Sequence, residues 1–190
     1  MDDSNLMWHV ASSRQLIKDR WFDLREVHYQ MPGGTKNPWP YYTFSKRSYV
    51  VIAAIDTDGN YLCVRQFRPG IGEVTLEMPA GGIEGDSKRP AEEAALAAAR
   101  RELREETGYE ADQWTHLLTI PSWATLSDDL AYLYLAQGCR RVGSQELDET
   151  EALSVETHSP SEMRELARAG KLQQVVHVAA LYLAEEALGR

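Results

Sequence analysis

Over the first eighty positions the apolar residues come in short runs broken by turn formers. Between Gln15 and Gln30, Ile17, Trp21, Phe22, Leu24, Val27 and Tyr29 predict strands, and Met31 to Pro40, with Pro32, Gly33, Gly34, Pro38 and Pro40, predicts a loop. Tyr49 to Ile55 is a near-continuous apolar run, the pattern of a strand buried on both faces. Asp58-Gly59 signals a hairpin, with a return strand from Tyr61 to Arg68 and a short strand from Val74 to Met78. An Ala-rich helix of about 27 Å is expected from Pro90, in its first turn, to Thr107, with Gly108 as the stop. Leu96, Ala99 and Leu103 make its apolar stripe. Gln113 to Thr119, Leu130 to Ala136 and Ala152 to Thr157 read as strands, and the polar stretch Gln137 to Glu151 as a long loop of the kind that often carries function. Ser159-Pro160-Ser161-Glu162 is a capping box for a helix closed by Gly170. A last helix, Gln173 to Leu188, is expected to bury Val175, Val178, Ala179, Tyr182 and Leu183. This order gives an α/β chain, a mixed sheet with helices on both faces, in a domain spanning 46–190 behind a strand-rich annex, 1–45.

Charge and composition narrow the function. At 190 residues the chain can build one domain with a real core. A formal net charge of -9 argues against nucleic acid and anionic membrane as partners, since both would repel the protein. Cys63 and Cys139 make neither a disulfide framework nor a metal spacing, which suits a reducing compartment. The start, with Asp2 and Asp3, lacks the basic and apolar regions of a signal peptide, and no apolar run is long enough to span a bilayer. A soluble, cytoplasmic protein is expected.

The densest chemistry is the run Arg101 to Tyr109. Glu102 and Glu106 are one helical turn apart and point the same way, with Glu105 to the side. Such a run taken alone is more often a solvated acidic face than a cation cradle. Its context argues for the cradle. Before it lies Pro79-Ala80-Gly81-Gly82-Ile83-Glu84-Gly85-Asp86, whose glycines allow close backbone approach and leave carbonyls free as ligands. Arg65 and Arg68, near the end of a strand feeding this region, suit an anion clamp. Trp39, Tyr41, Tyr42 and Phe44 supply rings that can stack on a nucleobase, although strand aromatics are more often core or interface; Trp21 and Tyr42 are the rings expected to bind substrate.

These residues resemble the Nudix hydrolase family, whose motif is G-x5-E-x7-R-E-U-x-E-E-x-G-U with U apolar. The second half matches from Arg101 to Tyr109. In the first half, Arg101 stands 19 positions after Gly82 where the motif asks for about 14, so five residues have been added. Glu93 keeps the motif's spacing to Arg101, yet on a continuous helix it falls about 180° round from Glu102, which leaves Asp86 or Glu92 to serve instead. Val64 to Arg68 and Leu76 to Gly81 resemble the ADP-ribose pyrophosphatase branch. One departure is Thr125, where that branch usually has proline; Pro121 lies a few residues earlier.

The resemblance implies a Nudix-like α/β/α sandwich and Mg²⁺-dependent (or Mn²⁺-dependent) hydrolysis of a nucleoside diphosphate sugar, ADP-ribose first and a GDP-sugar next. It makes Glu102, Glu105, Glu106, Glu151 and the Ala80 carbonyl metal ligands. Glu149 would be the general base, with Glu105 and Arg101 part of the catalytic machinery and Arg101 orienting the glutamates. It further implies a homodimer using the N-terminal strands. A non-catalytic nucleotide sensor on the same fold is the rival of another class, disfavoured by the intact glutamates. A Nudix-fold isomerase would need a reactive cysteine near the site, which Cys63 in mid-strand and Cys139 near a loop do not provide.

Overall fold

A computed structural model describes residues 3–85 and 90–190. The chain divides into two compact units, residues 1–47 with 121–129, and 48–120 with 130–190. The first unit is built on a three-stranded antiparallel sheet of β1 (His9–Lys18), β2 (Asp23–Gln30) and β3 (Tyr41–Ser45) in that order. The strand β1 starts six residues earlier than the apolar pattern places it, because His9 to Arg14 is mostly polar and is held by backbone pairing to β2, with Arg14 Nη2 donating to Glu26 Oε2 at 3.0 Å. All ten of its residues are exposed. Loop residues 121–129 join this unit through Phe44 N–H, which donates to Leu126 O at 2.8 Å.

The second unit carries the larger sheet, from β4 (Tyr49–Asp56), β5 (Tyr61–Arg68), β6 (Glu73–Glu77), β7 (Ala80–Gly82), β8 (Tyr109–Glu110), β9 (Gln113–Pro121), β10 (Leu130–Arg141) and β11 (Leu153–His158). Its spine runs β11-β5-β4-β10-β8, with β6 on β5, β7 on β4 and β9 on β10. The β4–β10 pair is parallel and β4–β5, β5–β6, β4–β7 and β5–β11 are antiparallel, so the sheet is mixed, as expected. The strand β4 is buried on both faces. Val50, Ile52 and Ala54 meet α1 (Glu92–Thr107), while Val51, Ala53 and Ile55 face the core shared with α2 (Pro160–Arg168) and α3 (Val175–Ala187).

Three differences from the sequence reading bear on the site. Pro90 precedes α1 instead of opening it; Ala91 is the N-cap and the helix of 16 residues is about 24 Å long. The strand β10 runs on to Arg141, through a register shift between Ala136 and Cys139, so the long loop starts at Val142 and Cys139 is a buried strand residue. In α3 the buried face is Val176, His177, Ala180, Leu181, Ala184 and Glu185; Val175 is 74% exposed and Tyr182 45%. The apolar period missed it because two polar residues lie on that face, each with a partner: His177 with Met78 N–H, and Glu185 with Tyr61 Oη and Arg164.

Candidate active site

In α1 the residues Ala95, Ala98, Ala99, Glu102, Leu103 and Glu106 form one continuous buried stripe. The first turns of the stripe meet the sheet, and the last two meet the β7 segment, where apolar residues give way to glutamates. Glu106 Oε2 accepts the Ala80 N–H at 3.0 Å. Glu102 lies against Gly81 so closely that a Cβ there would sit 2.0 Å from the Glu102 Cδ. Any side chain at 81 would displace the Glu102 carboxylate, so glycine serves close approach here, its φ being ordinary.

The register of β7 explains which backbone groups face the helix. Ile52 N–H donates to Pro79 O and Ile83 N–H to Ser48 O, both at 2.9 Å, with Val50 opposite Gly81. Bonded and non-bonded pairs alternate in an antiparallel ladder, so Ala80 and Gly82 occupy the non-bonded positions and turn their N–H and C=O groups away from β4. The Ala80 N–H meets Glu106, and the Gly82 carbonyl accepts Arg101 Nη2 at 3.0 Å. The Ala80 carbonyl is likewise outside the β4–β7 ladder.

Arg101 ties the acidic groups together. Its Nη2 also donates to Glu102 Oε1 at 2.7 Å and its Nη1 to Glu105 Oε2 at 2.6 Å. Burial holds Glu102 above the usual carboxylate range, with Arg101 opposing and Glu105 and Glu151 adding to the shift. Glu106 is pushed well above that range by burial, against the pull of the Ala80 N–H, with Glu102 and Glu151 reinforcing it. Two buried carboxylates with a third acid in electrostatic range repel one another, and that is a donor set suited to a hard divalent cation. Among the described residues, no three acidic, imidazole or thiol side chains converge on one point by themselves. A bound ion would be held by Glu102, Glu106 and the Ala80 carbonyl together.

The acidic loop is brought here by the unfinished carbonyls at the end of α1. A helix leaves its last four carbonyls without internal partners. Here Glu105 O accepts from Glu146 N–H at 2.8 Å, Glu106 O from Gln145 Nε2 at 2.6 Å and Gly108 O from Val142 N–H at 2.9 Å. Gly108 closes the helix at φ +76°, and any Cβ on it would meet Gly143 O at 2.5 Å. Glu151 follows as an exposed residue whose charge is felt by Glu102 and Glu106, and Glu149 stands in the exposed turn just before it. Gln145 anchors this loop to the helix end, a contact that a lone glutamine in a polar loop does not signal in the sequence.

The two strand arginines part company. Being three residues apart in β5, they project to opposite faces. Arg65 is exposed, with Glu156 Oε1 at 3.9 Å. Arg68 donates from Nε to Glu77 Oε1 at 2.6 Å and from Nη2 to Glu77 Oε2, and its charge pulls against the upward shift of Glu106. The two arginines therefore do not share one face of β5, and Arg68 is the one whose charge reaches Glu106. Trp21 and Tyr42 lie in the first unit, both exposed; the Arg20 guanidinium sits 4.5 Å from the Trp21 ring centre. Glu93 and Glu92 are exposed at the far end of α1, and Asp86 lies outside the described residues. Both thiols are buried and pushed up to about 12 by that burial, which argues against the reactive cysteine that the isomerase reading needs.

Residues 45–178 match the NUDIX domain family model. The chain belongs to the NUDIX family. It is 35% identical over 148 residues to an ADP-ribose pyrophosphatase of Mycobacterium tuberculosis, covering 76% of this chain and 67% of that one. It is 34% identical to the ADP-sugar pyrophosphatase of Mus musculus over 55% of this chain and 50% of the relative. A crystal structure of an ADP compounds hydrolase superposes with a TM-score of 0.81, covering 97% and 96% of the two chains at 24% identity, and so shares this NUDIX fold. No helix among the described residues is long and apolar enough to cross a membrane.

Proposed function

We propose that this NUDIX chain hydrolyses the pyrophosphate bond of a nucleoside diphosphate sugar, with ADP-ribose the first substrate and AMP and ribose 5-phosphate the products. The observation that carries the reading is the pair of buried carboxylates, Glu102 and Glu106, facing the β7 edge from which the Ala80 backbone is turned outward. The substrate class is supported by the two relatives named above. A bound Mg²⁺, or Mn²⁺ in its place, would neutralise the diphosphate charge and help activate the attacking water. Glu102, Glu106 and the Ala80 carbonyl hold it, with Glu105 and Glu151 as further ligands. Arg101 orients Glu102 and Glu105. Glu149 takes the proton of the attacking water as general base, a contribution of roughly 10² to 10⁴ in rate. Arg68 binds phosphate, and Trp21 and Tyr42 stack on the base.

In this reading the chain acts in the cytoplasm as a homodimer; the dimer is supported by β1, an edge strand among the described residues whose ten residues are exposed, Val10, Leu16 and Ile17 among them. Light scattering on the purified protein checks the dimer. Substrate choice is tested on a panel of nucleotide sugars with Mg²⁺ and alkaline phosphatase, which releases phosphate from the monoester products. ADP-ribose should lead the panel. A GDP-sugar in first place would replace the substrate, and no turnover of any diphosphate would overturn the hydrolase.

A further inference from the structure

Glu77 takes no part in the scheme above, yet it is a fully buried carboxylate of the second unit. It pairs with Val64 in the β5–β6 ladder, so its side chain shares a sheet face with Thr75, Gln66 and Arg68. Its carboxylate accepts Nε and Nη2 of Arg68 in a two-pronged pairing, and Thr75 Oγ1 at 2.5 Å. Behind it stands His177 of α3, with Nε2 3.9 Å from Glu77 Oε2. His177 Nδ1 accepts the Met78 N–H at 2.9 Å, so the neutral ring carries its proton on Nε2, on the side of Glu77. Burial works to raise the Glu77 carboxyl, but Arg68, His177 and Thr75 hold it down at about 2. A permanently charged acid is therefore locked to one edge of the Arg68 guanidinium. That fixes the plane of the fork and leaves Nη1 as the edge not engaged by Glu77, while Arg68 keeps its electrostatic hold on Glu106.

We infer that Glu77 is a positioning residue: braced by Thr75 and His177, it aims Arg68 so that the guanidinium edge not engaged by Glu77 receives a substrate phosphate on the side of Glu106. The inference rests on the hydrolase reading and on Arg68 as the phosphate ligand. A lysine could not replace Arg68, since one ammonium cannot face the buried carboxylate and a phosphate with fixed geometry.

The test is a double-mutant cycle of Glu77→Gln, Arg68→Lys and the pair, read as kcat and KM for ADP-ribose with Mg²⁺ and as ADP-ribose affinity by calorimetry in EDTA. Glu77→Gln and Arg68→Lys should each raise KM and weaken affinity about tenfold with kcat within about threefold, and the double variant should be no worse than Arg68→Lys alone. A merely structural glutamate would lower the melting temperature and leave KM in place. Should Glu77→Gln fail to fold, Thr75→Val, which removes only the brace, should raise KM about two- to threefold in the native background and not in Arg68→Lys. If the native protein neither turns over nor binds ADP-ribose, the hydrolase reading falls and this inference with it. If the native protein does both, and the two substitutions multiply or leave KM unchanged, the positioning role alone is overturned.

Discussion

Gly81→Ala puts the site geometry to a direct test. The new Cβ would lie 2.0 Å from Glu102 Cδ and 2.1 and 2.3 Å from its two oxygens, where ordinary contact begins at 3.4 Å. Something must move by about 1.4 Å. The carboxylate resists, being held by Arg101 at 2.7 Å, and so does β7, which pairs with Val50 on β4. A displacement of about 1 Å in a catalytic constellation costs roughly 10²-fold in rate, or about 3 kcal/mol in the barrier. Overpacking adds about 1–3 kcal/mol of lost stability. The adjacent Gly82→Ala is the control, since its Cβ meets nothing within 4 Å. With Mg²⁺ and ADP-ribose, Gly81→Ala should lose about a hundredfold in kcat/KM and Gly82→Ala at most about threefold, with both folded by circular dichroism. Equal losses at the two positions, or a Gly81→Ala enzyme within twofold of the native rate, would refute the placement of Glu102 against the β7 backbone.

Glu106→Gln should abolish most of the rate while ADP-ribose binding persists; a sensor would show no rate to lose. In the native protein Mg²⁺ at about a hundred times its Kd should raise stability by about 3 kcal/mol, reversed by EDTA and absent in Glu106→Gln, as melting curves would show. Glu149→Gln should reduce kcat roughly 10²- to 10⁴-fold while leaving that Mg²⁺ stabilisation intact; a loss of both would make Glu149 a ligand instead of the base. Burial holds the His177 ring down at about 4 against 6.5 in the unfolded chain, so its contribution is complete above pH 6.5 and is lost as pH falls toward 4. The raised carboxyls of Glu102 and Glu106 act in the opposite sense, gaining stability as pH falls, so the His177 effect is read as a difference from His177→Asn. Urea melts should show the native protein losing about 3 kcal/mol more than His177→Asn between pH 7 and pH 4, and parallel curves would refute the assignment.

What the sequence determined by itself is what neighbours along the chain can settle. The helical repeat puts Glu102 and Glu106 on one side of α1, the αL glycine at 108 ends it, Ser159 and Glu162 close a capping box, and Asp58-Gly59 turns a hairpin, all through contacts within a few residues. Two-sided burial of β4 was legible for the same reason, because an unbroken apolar run admits no solvent face. Tertiary structure alone decided where polar residues find partners. The buried face of α3 lies one position away from the apolar period because Met78, Tyr61 and Arg164 make room for His177 and Glu185. Strand alternation puts Arg65 and Arg68 on opposite faces, but only the tertiary structure pairs Arg68 with Glu77 and leaves Arg65 exposed. Gln145 is held by a carbonyl 39 positions away along the chain, that of Glu106. A buried polar group costs free energy until something distant satisfies it, and no local pattern records where that partner will come from.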